Sequence, residues 1–335
     1  MGEKDDYLTS YRVFFENFAA TVDPEDQLPV NIAGYTITEA ELPGEVIYWT
    51  TQYLTEKQCP LTLMAPLQRI ILDEVRVASK KHPNEFGYNS DESEYVALRL
   101  MQAVTARVND VCIRYLDNSR LDTLPPPPPP TMREFRTVSS ATKNIRRVME
   151  DRHVEIGNLE ALFGIETTEP TSFYAVYDGH AGSAAATYCA AHVHQYLAES
   201  PHFARDLRRA TDDAYLRTDA EFVRKSNQKD ERERIESSGG SVVYWGTWRV
   251  NGQLAVSRAI GDANYKPYVT ARPEIAEVDL DGDEDFVVVA CDGLWDFVSE
   301  DAVALSVYNQ IMNDPGYNSV GVEQRRVCGA GGHQP

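Results

Sequence analysis

Two short apolar runs that each end at Asp-Gly constrain this chain most strongly. Residues 173–177 read FYAVY and residues 286–291 read FVVVAC, and such aromatic and β-branched runs favour buried strands. Asp178-Gly179 follows the first run and Asp292-Gly293 follows the second. A strand that stops at Asp-Gly fixes a carboxylate at a sheet edge, because glycine lets the backbone turn sharply there. Two such ends brought together would offer oxygen ligands for Mg²⁺ or Mn²⁺.

A further acidic pair lies upstream of both runs. Glu150 and Asp151 follow Arg146 and Arg147 within six residues. Cationic and anionic groups this close together are expected where a phosphate is held beside a metal cluster. Taken alone, each piece has a simpler explanation, since Asp-Gly is usually only a turn and a mixed charge run is usually a solvated face.

The rest of the chain indicates an α+β protein. Apolar residues at spacings of three and four predict helices over residues 93–117 and 63–77, with Pro66 as a helix start or break. Residues 184–197 also favour helix, while Asn251-Gly252 between strand-forming residues predicts a hairpin. We expect a helical N-terminal domain over residues 1–120, with strands and helices alternating after residue 139.

Six consecutive prolines, Pro125–Pro130, separate these two parts. Such a run forms a stiff polyproline II rod without internal hydrogen bonds. A spacer within a linker of residues 121–138 is the favoured interpretation, and a ligand for an SH3 or WW domain is the alternative.

Composition excludes several classes of partner. Asp and Glu total 52 against 32 Lys and Arg, a formal charge of -20, which disfavours nucleic acid and anionic membranes. The N-terminal residues are too polar for a signal peptide, and no apolar run reaches the about 20 residues of a membrane span. The five cysteines form no C-x-x-C motif, so we expect reduced thiols and a cytoplasmic or nuclear location.

Four segments in fixed order resemble the metal-dependent Ser/Thr protein phosphatases of type 2C, the PPM-type family. They are RRVMED at 146–151, FYAVYDGHAG at 173–182, LAVSRAIGDANYKPYV at 254–269 and VVVACDGLWDFVS at 287–299. The RRxMEDRH form and the N-terminal extension are most similar to the subgroup called partners of PIX, or calmodulin-kinase phosphatases. The resemblance implies two antiparallel sheets packed as a sandwich and flanked by helices, with a phosphatase domain over residues 139–315.

The resemblance also implies a role for each matching residue. Asp178 would bridge two Mg²⁺ or Mn²⁺ ions, with the Gly179 carbonyl on one ion and Asp292 on the other. Glu150 and Asp151 would hold metal-bound waters, and a hydroxide between the two ions would be the nucleophile. In the same way, Arg146 would bind the substrate phosphate and His180 would protonate the leaving serine or threonine oxygen. Arginine and histidine suit these roles, because a guanidinium binds phosphate bidentately and imidazole titrates near neutral pH. The implied partners are phosphoprotein substrates, protein kinases among them.

Two features of the family pattern are missing from this chain. A central block of strands is absent, so that Ser226 joins directly to Asn227, and the final strand with its metal-binding aspartate is replaced by an irregular tail over residues 316–335. We interpret this as a splice variant or an imperfect gene model, with a compact natural variant as the alternative. Asp296 or the stretch 281–285 could supply the missing ligand in that alternative.

Two functions therefore remain open. The first is Mg²⁺/Mn²⁺-dependent hydrolysis of phosphoserine and phosphothreonine in proteins, impaired here by the missing pieces. The second is a non-catalytic scaffold, or pseudophosphatase, that binds partners through its helical domain and its proline run.

Overall fold

The computed structural model describes residues 3–22, 36–127, 137–167, 171–226, 256, 258–280 and 284–313. The chain divides into two units, residues 1–274 and residues 275–335. Helices and short antiparallel strands occur together, which confirms the α+β class. Within the described ranges, no helix is both long and apolar enough to cross a membrane.

Amphipathic helices build the N-terminal part of the first unit. They are α1 (Glu3–Thr21), α2 (Leu42–Glu56), α3 (Leu61–Lys81), α4 (Ala97–Arg114) and the short α5 (Asn118–Leu121). The apolar face predicted for residues 93–117 is confirmed, because Leu100, Val104 and Val108 of α4 are buried in the core. Burial of such faces, together with Trp49 of α2, stabilises this bundle.

Pro66 neither starts nor breaks a helix, contrary to the prediction from sequence. Helix α3 begins five residues earlier and continues through the proline. Proline removes one backbone donor, but Leu63 and Leu67 on either side are fully buried. Their burial offsets the lost hydrogen bond and keeps the helix continuous.

A small three-stranded sheet flanks the helices. Its strands are β1 (Thr36–Thr38), β2 (Tyr88–Asn89) and β3 (Glu94–Val96), in the order β1-β3-β2 with both pairs antiparallel. A single 3₁₀ turn, Pro83–Phe86, leads into β2 and ends at Gly87 in the left-handed conformation.

A two-stranded ladder, a short helix and two long helices follow the proline run in the first unit. The elements are β4 (Arg152–Ile156), α6 (Leu159–Phe163), β5 (Phe173–Tyr177), α7 (Ala184–Glu199) and α8 (Leu207–Ser226). Strands β4 and β5 pair antiparallel, with Arg152 opposite Tyr177. The strand predicted at 173–177 and the helix predicted at 184–197 are both confirmed.

The N-terminal helices pack directly on this ladder and on α7. Tyr48 of α2 contacts a cluster of buried side chains that includes Tyr177, Ala186 and Cys189. Tyr48 is therefore shared between the helical bundle and the elements that follow the proline run. The first three prolines of that run are described, and Pro128–Pro130 lie outside the described residues.

The second unit contains α9 (Asp292–Trp295) and α10 (Glu300–Asn313). The strand predicted at 286–291 is wrong, since these residues form no strand and the Val287 side chain is 69% exposed. A strand needs a neighbour to satisfy its backbone groups, and none of the described segments pairs with this one. The hairpin predicted at Asn251-Gly252, the Ser226–Asn227 junction and the tail after residue 313 lie outside the described residues.

Candidate functional site

Pairing of β4 with β5 brings two of the predicted acidic segments together. Asp151 immediately precedes β4, Asp178 immediately follows β5, and the strands run antiparallel, so these residues lie at the same end of the ladder. The backbone N–H of Gly179 donates a hydrogen bond to Oδ1 of Asp151 at 3.2 Å. The ladder register therefore places the two Asp-containing motifs side by side.

Only glycine fits at position 179. A Cβ built there would lie 2.4 Å from the carbonyl oxygen of Glu150 and 2.9 Å from its Cβ. Any side chain would force the backbone of Glu150 away from the end of β5. The Asp-Gly signal in the sequence thus has a steric explanation at this motif.

Arg152 fixes the loop that carries the acidic pair. Its Nη1 donates to the carbonyl oxygens of Met149 at 3.0 Å and Asp151 at 2.8 Å. The Arg152 guanidinium also hydrogen-bonds Tyr48 of α2. Burial raises the pKa of Tyr48 despite this cation, so its hydroxyl stays protonated. A residue of the N-terminal helices thereby contacts the loop of the candidate site.

His180 lies next to these groups in sequence and pairs with a distant carboxylate. Its Nε2 is 3.1 Å from Oδ2 of Asp262, and the His180 side chain is 49% exposed while that of Asp262 is 20% exposed. The imidazole is therefore accessible to a ligand, and the Asp262 carboxylate holds it on one side.

The loop that carries Asp262 is anchored on α8. Oδ1 of Asp219 accepts hydrogen bonds from the Gly261 amide at 2.8 Å and from Lys266 Nζ at 3.0 Å. Gly261 has φ +88° and Asp262 has φ +50°, both in the left-handed region that Gly and Asp tolerate best. Phe222 of α8 lies so close to Gly261 that a Cβ would approach its ring at 2.9 Å.

Three of the four other predicted site residues, Arg146, Asp178 and Asp292, are exposed. Arg146 lies in a turn, where its backbone N–H donates a hydrogen bond of 2.9 Å to the Lys143 carbonyl. Its side chain is exposed. Glu150 is half-buried, and Asp178 is exposed. Asp292 is the first residue of α9, in the second unit, and is also exposed.

The donor chemistry around residues 150–179 suits a divalent cation. Carboxylate and carbonyl oxygens are the ligands that Mg²⁺ and Mn²⁺ prefer, and Glu150, Asp151, Asp178 and Gly179 supply them at one end of the ladder. Among the described residues, however, no three acidic, histidine or cysteine side chains are grouped closely enough to hold a metal ion. The residues present therefore fit a metal in kind but form an incomplete ligand set.

Two histidines that could suggest a metal site are core residues. His192 Nε2 lies 3.3 Å from Oε1 of the buried Glu45, whereas His194 lies between the rings of Phe163 and Phe173. Burial lowers the pKa of His194 to about 3, so its ring is neutral at physiological pH. The two rings have different neighbours, as expected for residues two apart on a helix.

The buried cysteines do not have the character of nucleophiles. Burial raises the pKa of Cys59 and of Cys189 to about 12, which keeps both thiols protonated. Cys291 ends the run 286–291, for which the sequence predicts a buried strand, but it is half-buried and precedes α9 outside any strand. The reason is the same as for residues 286–291, which have no described strand to pair with.

Sequence reasoning did not assign a role to three residues that organise the site, namely Asp262, Asp219 and Arg152. Gly261-Asp262 carried a usable signal, because Gly-Asp after an apolar run marks a turn that admits positive φ. Asp219 and Arg152 gave no such signal, since each acts through contacts that only the fold creates.

Comparison with known proteins identifies the family. The Protein phosphatase 2C family model matches residues 135–229 and 222–332. Human protein phosphatase 1E is 31% identical over 85% of this chain, and human protein phosphatase 1F is 29% identical over 90% of it. This chain spans 44% of the length of the first relative and 79% of the second.

A solved structure with the same fold was also found. It is described as the structure of a C. elegans sex determining protein, and it superposes with a TM-score of 0.65 at 17% identity. The match covers 92% of this chain and 88% of the other, so the likeness includes the N-terminal helices. With the two-part family match, these findings establish that the chain belongs to the protein phosphatase 2C family.

Proposed function

We propose that this chain carries a Mg²⁺/Mn²⁺-dependent protein serine/threonine phosphatase site that is weakened by missing parts of the family pattern. The observation that carries the proposal is the hydrogen bond from the Gly179 amide to Asp151. It joins two acidic segments at the end of one ladder, beside the accessible ring of His180. A role for Asp292 as a metal ligand stays a prediction from the resemblance.

The chain's own residues have separable roles in this proposal. Glu150, Asp151, Asp178 and the Gly179 carbonyl would hold Mg²⁺ or Mn²⁺, and a bound ion supplies the charge that makes a coordinated water nucleophilic at neutral pH. Arg146 would bind and orient the phosphate through two parallel hydrogen bonds.

His180 would act on the leaving group. As a water oxygen bonds to phosphorus, the bond from phosphorus to the serine or threonine oxygen breaks and its electron pair stays on that oxygen. His180 would give its proton to this oxygen, which leaves as the hydroxyl and leaves the ring neutral. The exposed edge of His180 allows such a contact.

The family segments that this sequence lacks support the proposal that the phosphatase site is weakened. The family model matches in two segments that overlap at residues 222–229, and this overlap includes the Ser226–Asn227 junction where we propose that the family's central strands are missing. We propose that a complete domain would form the family's two-sheet sandwich, and that this chain forms it only in part. Exposed Val287 and Val289 in the second unit are consistent with a strand-forming segment that lacks neighbours to pair with.

The test is Mn²⁺-dependent phosphate release from a phosphothreonine peptide. Asp178→Ala should lower the rate about 100-fold or more, whereas Glu155→Gln, a partly exposed position on β4, should change it less than twofold. Calorimetry with Mn²⁺ alone provides an independent measurement, in which Asp178→Ala should lose binding. Equal Mn²⁺ binding by the two proteins would remove the metal assignment.

A non-catalytic scaffold is the second candidate. It is favoured by one observation, the lack of a group of three metal-binding side chains among the described residues. Partners would then bind the N-terminal helices or, through an SH3 or WW domain, the run Pro125–Pro130. A chain without measurable Mn²⁺ binding or phosphate release, yet with a cooperative melting transition, would support this candidate.

A further inference from the structure

We infer that Asp262 is a positioning residue for His180, a role that rests on the proposed phosphatase function. Asp262 accepts the Nε2–H of the ring, holds the imidazole in one orientation and leaves Nδ1 as the nitrogen not engaged by the carboxylate. The motif at 254–269 thereby contributes to the site through its aspartate, in addition to any role of its other residues.

The geometry of the pair supports a positioning role. Oδ2 of Asp262 lies 3.1 Å from Nε2 of His180, within hydrogen-bond distance. His180 follows the turn at Asp178-Gly179 and is about half exposed, so little packing restrains its ring. A carboxylate on one ring nitrogen fixes the orientation of an imidazole and determines which nitrogen remains for the reaction.

Asp262 is itself held in place by the fold. The backbone N–H of its neighbour Gly261 donates a hydrogen bond to the Asp219 carboxylate on α8. The same carboxylate forms an ion pair with Lys266 on the far side of the turn. Lys266 also donates to the Ala259 carbonyl at 2.9 Å, which closes the loop upon itself. A side chain on a loop fixed at both ends can orient a partner, as a freely moving surface carboxylate cannot.

A second histidine–carboxylate pair provides a natural comparison. His153 Nε2 and Glu155 Oε1 on β4 are 3.9 Å apart, with both side chains partly exposed. That separation is too long for a hydrogen bond, and the two residues lie two apart on one face of a single strand instead of joining two elements. Glu155 is therefore a matched control for removal of a carboxylate near a histidine.

The first measurement is the side-chain rotamer of His180 in the metal-free full chain. Three-bond NMR couplings to Cγ should report one χ1 rotamer in the wild type and averaged values in Asp262→Ala. Glu155→Ala should retain the single His180 rotamer, and amide spectra would show that each variant is folded. A single His180 rotamer that persists in Asp262→Ala overturns the inference.

The second measurement separates positioning from mere structural support. With Mn²⁺ present, Asp262→Ala should lower kcat about tenfold for phenyl phosphate, whose leaving group needs a proton. It should change kcat for p-nitrophenyl phosphate less than threefold and leave KM for both within twofold. Equal losses with both substrates in an active enzyme would overturn the inference even if the rotamer is averaged.

The two measurements distinguish this inference from the proposed function. If the wild type shows no Mn²⁺-dependent hydrolysis, the proposed function fails. The NMR couplings alone then show whether Asp262 fixes the rotamer of His180. If the wild type is active and the couplings do not change in Asp262→Ala, the phosphatase function stands and the role of Asp262 fails.

Discussion

The backbone amide of Gly44, at the start of α2, donates a hydrogen bond of 3.0 Å to Oε1 of Gln195 on α7. Gln195 Nε2 in turn donates to the Ala40 carbonyl at 2.7 Å. One buried amide side chain therefore satisfies backbone groups on both sides of the N-terminal end of α2. This contact joins the helical bundle to a helix that packs on the β4–β5 ladder.

Gly44→Ala should destabilise the protein strongly. A Cβ at this position would lie 2.4 Å from the Ala191 carbonyl and 2.5 Å from both Gln195 Oε1 and His192 Nδ1. Since none of these buried groups can withdraw freely, we expect a loss of about 2–3 kcal/mol in the free energy of unfolding. Urea denaturation would measure it, with Gly157→Ala as the control because a Cβ there meets nothing within 4 Å. Equal midpoints for the two variants would contradict the close packing of α2 on α7.

The buried His194 should make stability fall in mild acid. Burial lowers its folded-state pKa from the ordinary 6.5 to about 3, and neither ring nitrogen has a hydrogen-bond partner among the described residues. Between these pH values the unfolded chain binds more protons than the folded chain. The contribution of the neutral His194 to the free energy of unfolding is therefore fully present above pH 6.5 and decreases as the pH falls toward 3.

His194→Phe should remove this part of the pH dependence, because phenylalanine suits the contacts with Phe163 and Phe173. By pH 4 the wild type should have lost about 3 kcal/mol that the variant retains, relative to their difference at pH 8. Thermal unfolding followed across this range provides the measurement. His82→Gln, at an exposed position, should keep the wild-type slope, and an unchanged slope in His194→Phe would refute the assignment to His194.

Most helices and one strand could be predicted from the sequence because their signals are local. The apolar spacing over 93–117 gave α4 within a few residues of each end, and FYAVY gave β5. The run at 286–291 is also rich in aromatic and β-branched residues but is not a strand. Local composition indicates what a segment favours, whereas a strand also needs a partner, and pairing is non-local.

The candidate site was predictable to a similar degree. Motif order indicated the family, and the structure places Asp151 beside Gly179 as two adjacent motifs would require. The contact of His180 with Asp262 joins residues 82 positions apart. No periodic or compositional pattern in the sequence predicts that these two residues meet. The placement of Asp292 relative to Asp178 stays a prediction.

The pair of Glu41 and Lys225 should be worth more than an exposed ion pair. Burial alone would raise the pKa of Glu41, but Lys225, the Thr38 amide and the Tyr188 hydroxyl outweigh it and hold the pKa below its ordinary value. Lys225 Nζ lies 3.1 Å from Oε1 of this nearly inaccessible carboxylate.

Lys225→Met should therefore lower stability by about 3–5 kcal/mol, since it leaves a buried charge without its cation. Glu41→Gln combined with Lys225→Met should recover part of the loss, as a double-mutant cycle by urea denaturation would show. Arg224→Met removes ion pairs of a more exposed cation with Glu221 and Glu94 and should cost no more than about 1 kcal/mol. If Lys225→Met lowers the free energy of unfolding no more than Arg224→Met does, the buried pair stabilises the protein no more than an exposed ion pair.

The two Asp-Gly motifs should respond differently when each glycine is replaced by alanine. In Gly179→Ala, the new Cβ would collide with the Glu150 backbone at 2.4 Å, whereas at Gly293 the nearest atom is Cys291 Sγ at an ordinary 3.4 Å. Displacement of Glu150 would break the hydrogen bond between the Gly179 amide and Asp151 and separate the two acidic segments. Gly179→Ala should therefore lower the melting temperature by several degrees, as expected for a loss of about 1–3 kcal/mol.

The same substitution should reduce Mn²⁺ affinity at least tenfold, because ligands that are no longer adjacent cannot share one cation. Gly293→Ala should change both quantities little, since its Cβ fits without moving the backbone. Calorimetry with Mn²⁺ and thermal melts of the two variants, compared with the wild type, would test both expectations. Tolerance of alanine at residue 179 in both measurements would mean that the close approach of Gly179 to Glu150 is not needed to assemble the site.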